Sequence, residues 1–101
     1  MSSSYFFGQG VQVDLDEIWE YIALDDVDAA DRWIAKLFDA FEMLARMPTV
    51  GHTRDDLTDH PVLFWPVGAY SITYRSTGDT VEIVAVTRSR DIPAFLRRRI
   101  H

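Results

Sequence analysis

The sequence predicts an α+β fold: a hairpin of two amphipathic helices laid on one face of a small antiparallel sheet, with a short C-terminal helix. Three observations carry this. Residues 11–47 hold two apolar stripes of helical period separated by an aspartate-rich break. Residues 69–75 alternate polar and apolar side chains, the pattern of a strand with two distinct faces. Residues 81–86 are apolar at nearly every position, as in a strand covered on both sides.

Taken in order, Tyr5-Phe6-Phe7 reads as a short strand stopped by Gly8 and Gly10. Leu15, Ile18, Trp19 and Ile22 then fall at i, i+3, i+4 and i+7, which predicts a helix from about Val11 to Leu24. Asp14, Asp16 and Glu17 sit near its positive end, where acids are stabilising. Asp25-Asp26-Val27-Asp28 breaks the pattern, and Asp26 or Asp28 can cap the second helix. Its stripe is Trp33, Ile34, Leu37, Phe38, Phe41, Leu44 and Ala45, ended by Met47-Pro48. So short a linker makes the two helices antiparallel.

Residues 49–61 have no period and form a loop. Val62–Val67 is an apolar strand. It is followed by the alternating strand from Ala69 to Arg75, with Tyr70, Ile72 and Tyr74 on one face. Ser76-Thr77-Gly78-Asp79 supplies a turn before Val81–Val86. Asp91-Ile92-Pro93 opens a last short helix, anchored by Phe95 and Leu96, with Arg97, Arg98 and Arg99 at its negative end. The hairpin can cover only one face of the sheet. The second face is closed either by this last helix or by a partner.

A length of 101 residues fits a single domain over 1–101. The absence of cysteine removes disulfides and thiolate chemistry and suits a reducing compartment. No stretch reaches the ~18–20 apolar residues of a membrane span. Met1-Ser2-Ser3-Ser4 has no basic or apolar character of a signal peptide, so the expected location is the cytoplasm.

Net charge is −6, unevenly distributed. Residues 1–60 carry 13 acidic and 4 basic side chains, while residues 61–101 carry 3 acidic side chains and 6 arginines. An acidic chain is a poor nonspecific nucleic-acid binder, so no direct nucleic-acid binding is expected of it alone. The basic C-terminal part remains available for a local contact.

Signatures of common chemistry are missing. Gly8-Gln9-Gly10 lacks the third glycine of a phosphate loop and reads as a linker. His52 and His60 share a loop without metal-ligand spacing, and no cofactor is indicated. No serine sits on a glycine-flanked elbow. The acids from Asp14 to Asp39 read as a solvated helix face. There remain Arg75, Arg88, Arg90, Arg97, Arg98 and Arg99, near Tyr74. Arginine stays protonated and cannot be a general base, but it stabilises phosphates and oxyanions. For Arg97 to Arg99 the plainer role is to satisfy the helix dipole.

The order of these parts resembles the RelE/ParE toxins of type II toxin–antitoxin systems, and within them the ParE-like, plasmid-stabilisation branch. Tyr5 opens the first strand, and Asp14-Leu15-Asp16-Glu17-Ile18-Trp19-Glu20-Tyr21-Ile22 is similar to the "ADLxxIxxYI" helix. Leu44 to Pro48 with Gly51 fits "LxxxPxxG", and Arg54 with Leu57 fits "RxDL". Val67 to Arg75 fits "VGxYxIxYR", and Val81 to Val86 with Arg90-Asp91 fits "VxIxxVxxxRD". The chain departs from the pattern at Gly8-Gln9, where Ser-Pro is common. It departs again at Ala69, often basic, and at Thr87-Arg88, where a histidine is frequent.

The resemblance implies a toxin neutralised by a cognate antitoxin in a hetero-oligomeric complex. The antitoxin's disordered tail would fold over the sheet at Tyr70, Ile72, Tyr74, Val84 and Val86. ParE-type relatives poison DNA gyrase without catalytic residues of their own, and the charge balance favours that branch. Target contacts then fall to Arg88, Arg90, Arg97, Arg98 and Arg99. RelE-type relatives cut messenger RNA at the ribosome, which would make Tyr74, Arg75, Arg88 and Arg90 the catalytic set. A third alternative is a non-toxic relative that only forms complexes.

Overall fold

The computed structural model describes residues 4–99, apart from the side chains of Phe95, Arg98 and Arg99. The expected anchoring by Phe95 lies outside these described residues. Strand β1 (Ser4–Phe7) leads into helices α1 (Val11–Ala23) and α2 (Val27–Arg46). Strands β2 (Leu63–Val67), β3 (Tyr70–Thr77) and β4 (Thr80–Arg88) follow. A single 3-10 turn at Ser89–Asp91 then opens α3 (Ile92–Arg99). No helix among the described residues is long and apolar enough to cross a membrane.

The helical hairpin forms where periodicity places it. The Asp26 carboxylate caps α2 by accepting from the Ala29 N–H at 3.1 Å. The Trp19 indole N–H donates to Asp31 across the hairpin at 2.8 Å, tying α1 to α2. Leu15 and Ile18 of α1 and Leu37, Phe41 and Leu44 of α2 are buried against the sheet. Phe38 lies at the rim of the α2 stripe, 37% exposed, with its ring 6.0 Å from that of Phe7.

Strand order is β1-β4-β3-β2. The β2–β3 and β3–β4 connections are two-residue hairpins in which Gly68 and Gly78 take positive φ. Ala69 and Asp79 follow with negative φ, the sign pattern of a II′ turn. The expected antiparallel sheet is therefore correct for these three strands, but β1 pairs parallel to β4, with Tyr5 opposite Val81 and Phe7 opposite Ile83. The sheet is mixed. The α1–α2 hairpin and the β2–β3 hairpin separate β1 from its partner, and a parallel pair requires such a crossover.

Both faces of β4 are covered, as its composition demands. On one face Val81, Ile83 and Val86 join Ile72 and Tyr74 beneath the helices. On the other, Ala85 packs with Val62, Phe64, Ile92 and Leu96. The last helix thus closes part of the second face. Thr73 is also buried on this side, and its hydroxyl has no hydrogen-bond partner among the described residues.

Candidate binding cleft

Strand β1 stops at Phe7, opposite Ile83, so residues 84–88 of β4 have no strand neighbour on that side. Helix α1 fills the place. Asp14, Glu17, Ile18 and Tyr21 recur at i, i+3, i+4 and i+7 and present one helical face to the end of β4. The Asp14 carboxylate accepts the Val86 N–H at 3.0 Å. A carboxylate on an exposed strand edge blocks the backbone pairing that such an edge invites.

Between this helical face and Tyr70, Thr87, Arg88 and Asp91 lies a cavity of about 360 Å³. A second cavity of about 660 Å³ adjoins it, shared at Tyr21, Tyr70 and Arg88 and bounded by Gly68, Ser89 and Arg90. The Arg88 guanidinium lies 4.5 Å from the centre of the Tyr21 ring, a cation–π contact that fixes its position. Hydrogen bonding to Tyr21 first, and to Tyr70 after it, holds Arg88 above the ordinary guanidinium pKa. The cleft thus carries a permanently charged, oriented arginine beside an exposed Tyr21 ring and a buried Tyr70 ring. It can grip an anionic group.

The residues singled out by sequence do not converge. Arg88 and Arg90 share the larger cavity. Arg75 is at the other end of the same strand pair: Tyr70 faces Arg88, whereas Arg75 faces Glu82. Five residues at ~3.3 Å each put it about 16 Å along the strand from Arg88. There its Nε donates to Glu82 at 2.8 Å.

Tyr74 is fully buried. Its hydroxyl accepts from the Gly51 N–H at 2.8 Å and donates to the Pro48 carbonyl at 2.9 Å. It is a tie between β3 and the loop after α2, and burial pushes its phenol pKa up. Arg97 is exposed beside Asp56 and His60, away from the cleft. The side chains of Arg98 and Arg99 lie outside the described residues.

The side chains expected to meet an antitoxin lie largely in the core. Ile72, Tyr74 and Val86 are at most 2% exposed beneath the helical hairpin, and Tyr70 is 6% exposed at the edge of the cleft. The alternating face turned inward because its large apolar rings are what the helices need. Val84, at the register shift between Thr73 and Tyr74, is 9% exposed. These residues build the core and present almost no surface. Asp14 and Tyr21 were the residues hidden from sequence reasoning: the acid read as solvated face, and only their i, i+7 spacing marks a common side.

Among the described residues, no group of three His, Cys, Asp or Glu side chains is placed to hold a metal ion.

The family model described as the ParE toxin of type II toxin–antitoxin systems, parDE, matches residues 5–93. This chain belongs to that family. The match runs from β1 to the first turn of α3 and so includes every residue of the cleft. This ParE-family chain is also similar in fold to a solved structure of the chromosomal ParDE system from P. aeruginosa. There the TM-score is 0.71 at 19% identity, covering 85% of this chain and 95% of that one. A second likeness is to the toxin–antitoxin complex RelBE2 from Mycobacterium tuberculosis. Its TM-score is 0.63 at 24% identity, covering 87% and 99% of the two chains. At these identities the likenesses show a shared fold. No curated protein matches the sequence.

Proposed function

We propose that this ParE-family toxin acts by binding rather than by cutting RNA, that its target is DNA gyrase in the cytoplasm, and that a cognate antitoxin neutralises it. The observation that carries this is the dispersal of the residues a ribonuclease would need. Tyr74 is locked in the core by two hydrogen bonds, and Arg75 is paired with Glu82 at the far end of the strand from Arg88. Only Arg88 and Arg90 remain together, and neither can act as a base. The two solved likenesses are a toxin–antitoxin system and a toxin–antitoxin complex, which supports an antitoxin partner here.

The test is a gyrase supercoiling and DNA-cleavage assay with the purified chain, run beside a translating-ribosome assay for messenger-RNA cleavage. Inhibited supercoiling with intact messenger RNA is the expected result. Growth arrest with untouched gyrase would sink the target assignment. Cuts within codons would promote the ribonuclease reading, which Arg88 and Arg90 beside two tyrosines favour. Harmless expression without any antitoxin would instead identify a complex-forming relative that is not toxic.

A further inference from the structure

The two adjoining cavities differ in charge. Glu17 and Asp91 border the smaller one, and neither side chain makes a hydrogen bond or ion pair among the described residues. Arg90 borders the larger one and is likewise unengaged, while Arg88 stands at the junction over Tyr21. Tyr21, Tyr70 and Arg88 belong to both cavities, so an aromatic floor runs unbroken from an acidic end to a basic end.

The manner of docking is also constrained. An incoming strand would need the edge donors of β4, but the Val86 N–H is already held by Asp14. An occupant cannot pair with that donor, so at this point it is held by its side chains. Phosphate-bearing nucleic acid would place its uniform negative charge against Glu17 and Asp91, which disfavours it. A peptide carrying both signs fits both ends.

We infer that the cleft receives a segment of the antitoxin through two oppositely charged side chains, a Lys or Arg at Glu17 and Asp91 and an Asp or Glu at Arg88 and Arg90. The inference rests on the antitoxin reading above. The stem of the basic side chain lies along Tyr21, and the two charge pairs at opposite ends fix the direction of the segment. Complementary charges of this kind set orientation and partner choice more than raw affinity. A partner with the two charges exchanged would meet like charge at both ends.

The test uses the purified toxin and two probes: the intact protein encoded by the adjacent antitoxin gene, and overlapping peptides that tile it. Binding is followed by fluorescence anisotropy. A single tile bearing one basic and one acidic side chain is expected to bind. Glu17→Lys and Arg90→Glu should each weaken it about tenfold or more. A tile with its acidic residue changed to lysine should recover affinity for Arg90→Glu. Asp79→Lys, in the distant β3–β4 turn, should change nothing, and circular dichroism should show each variant folded.

If the wild-type toxin binds antitoxin while Glu17→Lys and Arg90→Glu bind it within twofold of wild type, the inference is wrong and the antitoxin reading stands. When only the intact antitoxin binds, the same two variants decide the matter with that probe. Absence of any binding to wild-type toxin overturns the antitoxin reading, and the inference with it.

Discussion

Replacing Tyr74 by phenylalanine removes one oxygen from the centre of the molecule and leaves the packing of the ring in place. That oxygen closes two hydrogen bonds, from the Gly51 N–H at 2.8 Å and to the Pro48 carbonyl at 2.9 Å. Each such bond contributes a net ~0.5–1.5 kcal/mol, and the groups left behind are partly buried, so the loss should be about 1–3 kcal/mol. At about 4–8 °C per kcal/mol for a domain near this size, the melting temperature falls measurably. Urea unfolding followed by tryptophan fluorescence reads the change directly, provided the slope with urea is unchanged.

The same hydroxyl makes a pH prediction. Burial raises the Tyr74 pKa above its ordinary 10.0, so the folded state favours the neutral phenol. Its contribution is intact below pH 10 and is lost as pH rises through the folded value, because the unfolded chain ionises first. The stability gap between wild type and Tyr74→Phe should therefore narrow above pH 10. Tyr5 is also raised, by burial and then by Glu42, but it is common to both proteins and cancels in the difference. A loss below about 0.5 kcal/mol at neutral pH would refute the tie and leave the loop held by other contacts, among them the backbone pairing of His52 with Phe64.

Leu37→Ala should cost about 2–5 kcal/mol in urea unfolding, since Leu37 is fully buried beneath α2. Gly68→Ala forces a side chain to positive φ, worth about 1–2 kcal/mol by itself, and drives its Cβ into the Trp33 indole, so the total should exceed that figure in the same assay. Thr73→Val replaces a buried hydroxyl that lacks a partner by a methyl group, and should be neutral or stabilising by about 1 kcal/mol in thermal melts. Arg75→Ala breaks an ion pair whose arginine is half exposed, so stability should change by less than about 1 kcal/mol. Growth arrest should persist in that variant, an outcome that counts against Arg75 as a catalytic group.

How legible each part was depended on the range of the interactions that define it. The helical hairpin, a cap by Asp26 or Asp28 and a turn at Gly78-Asp79 rest on neighbours within a few residues, and local pattern pointed to them. The alternation at Tyr70, Ile72 and Tyr74 was equally plain, but it marks two faces without saying which one the helices take. The structure turns Tyr70, Ile72 and Tyr74 toward the helices. The acids of α1 illustrate the same limit, since Asp14 reads as solvated until Val86, 72 residues on, is brought to it.

The sequence by itself determined the helices, the turn at Gly78-Asp79, the charge division and, through motif order, the family. Those features depend on backbone periodicity and turn chemistry, which act over short stretches of chain. Tertiary structure decided the parallel β1–β4 pairing, the separation of Arg75 from Arg88, and the cleft that joins Tyr21 to Arg88. Each of these requires contacts between segments far apart in the chain. Such contacts are selected by how apolar faces bury together, a choice that no local pattern records.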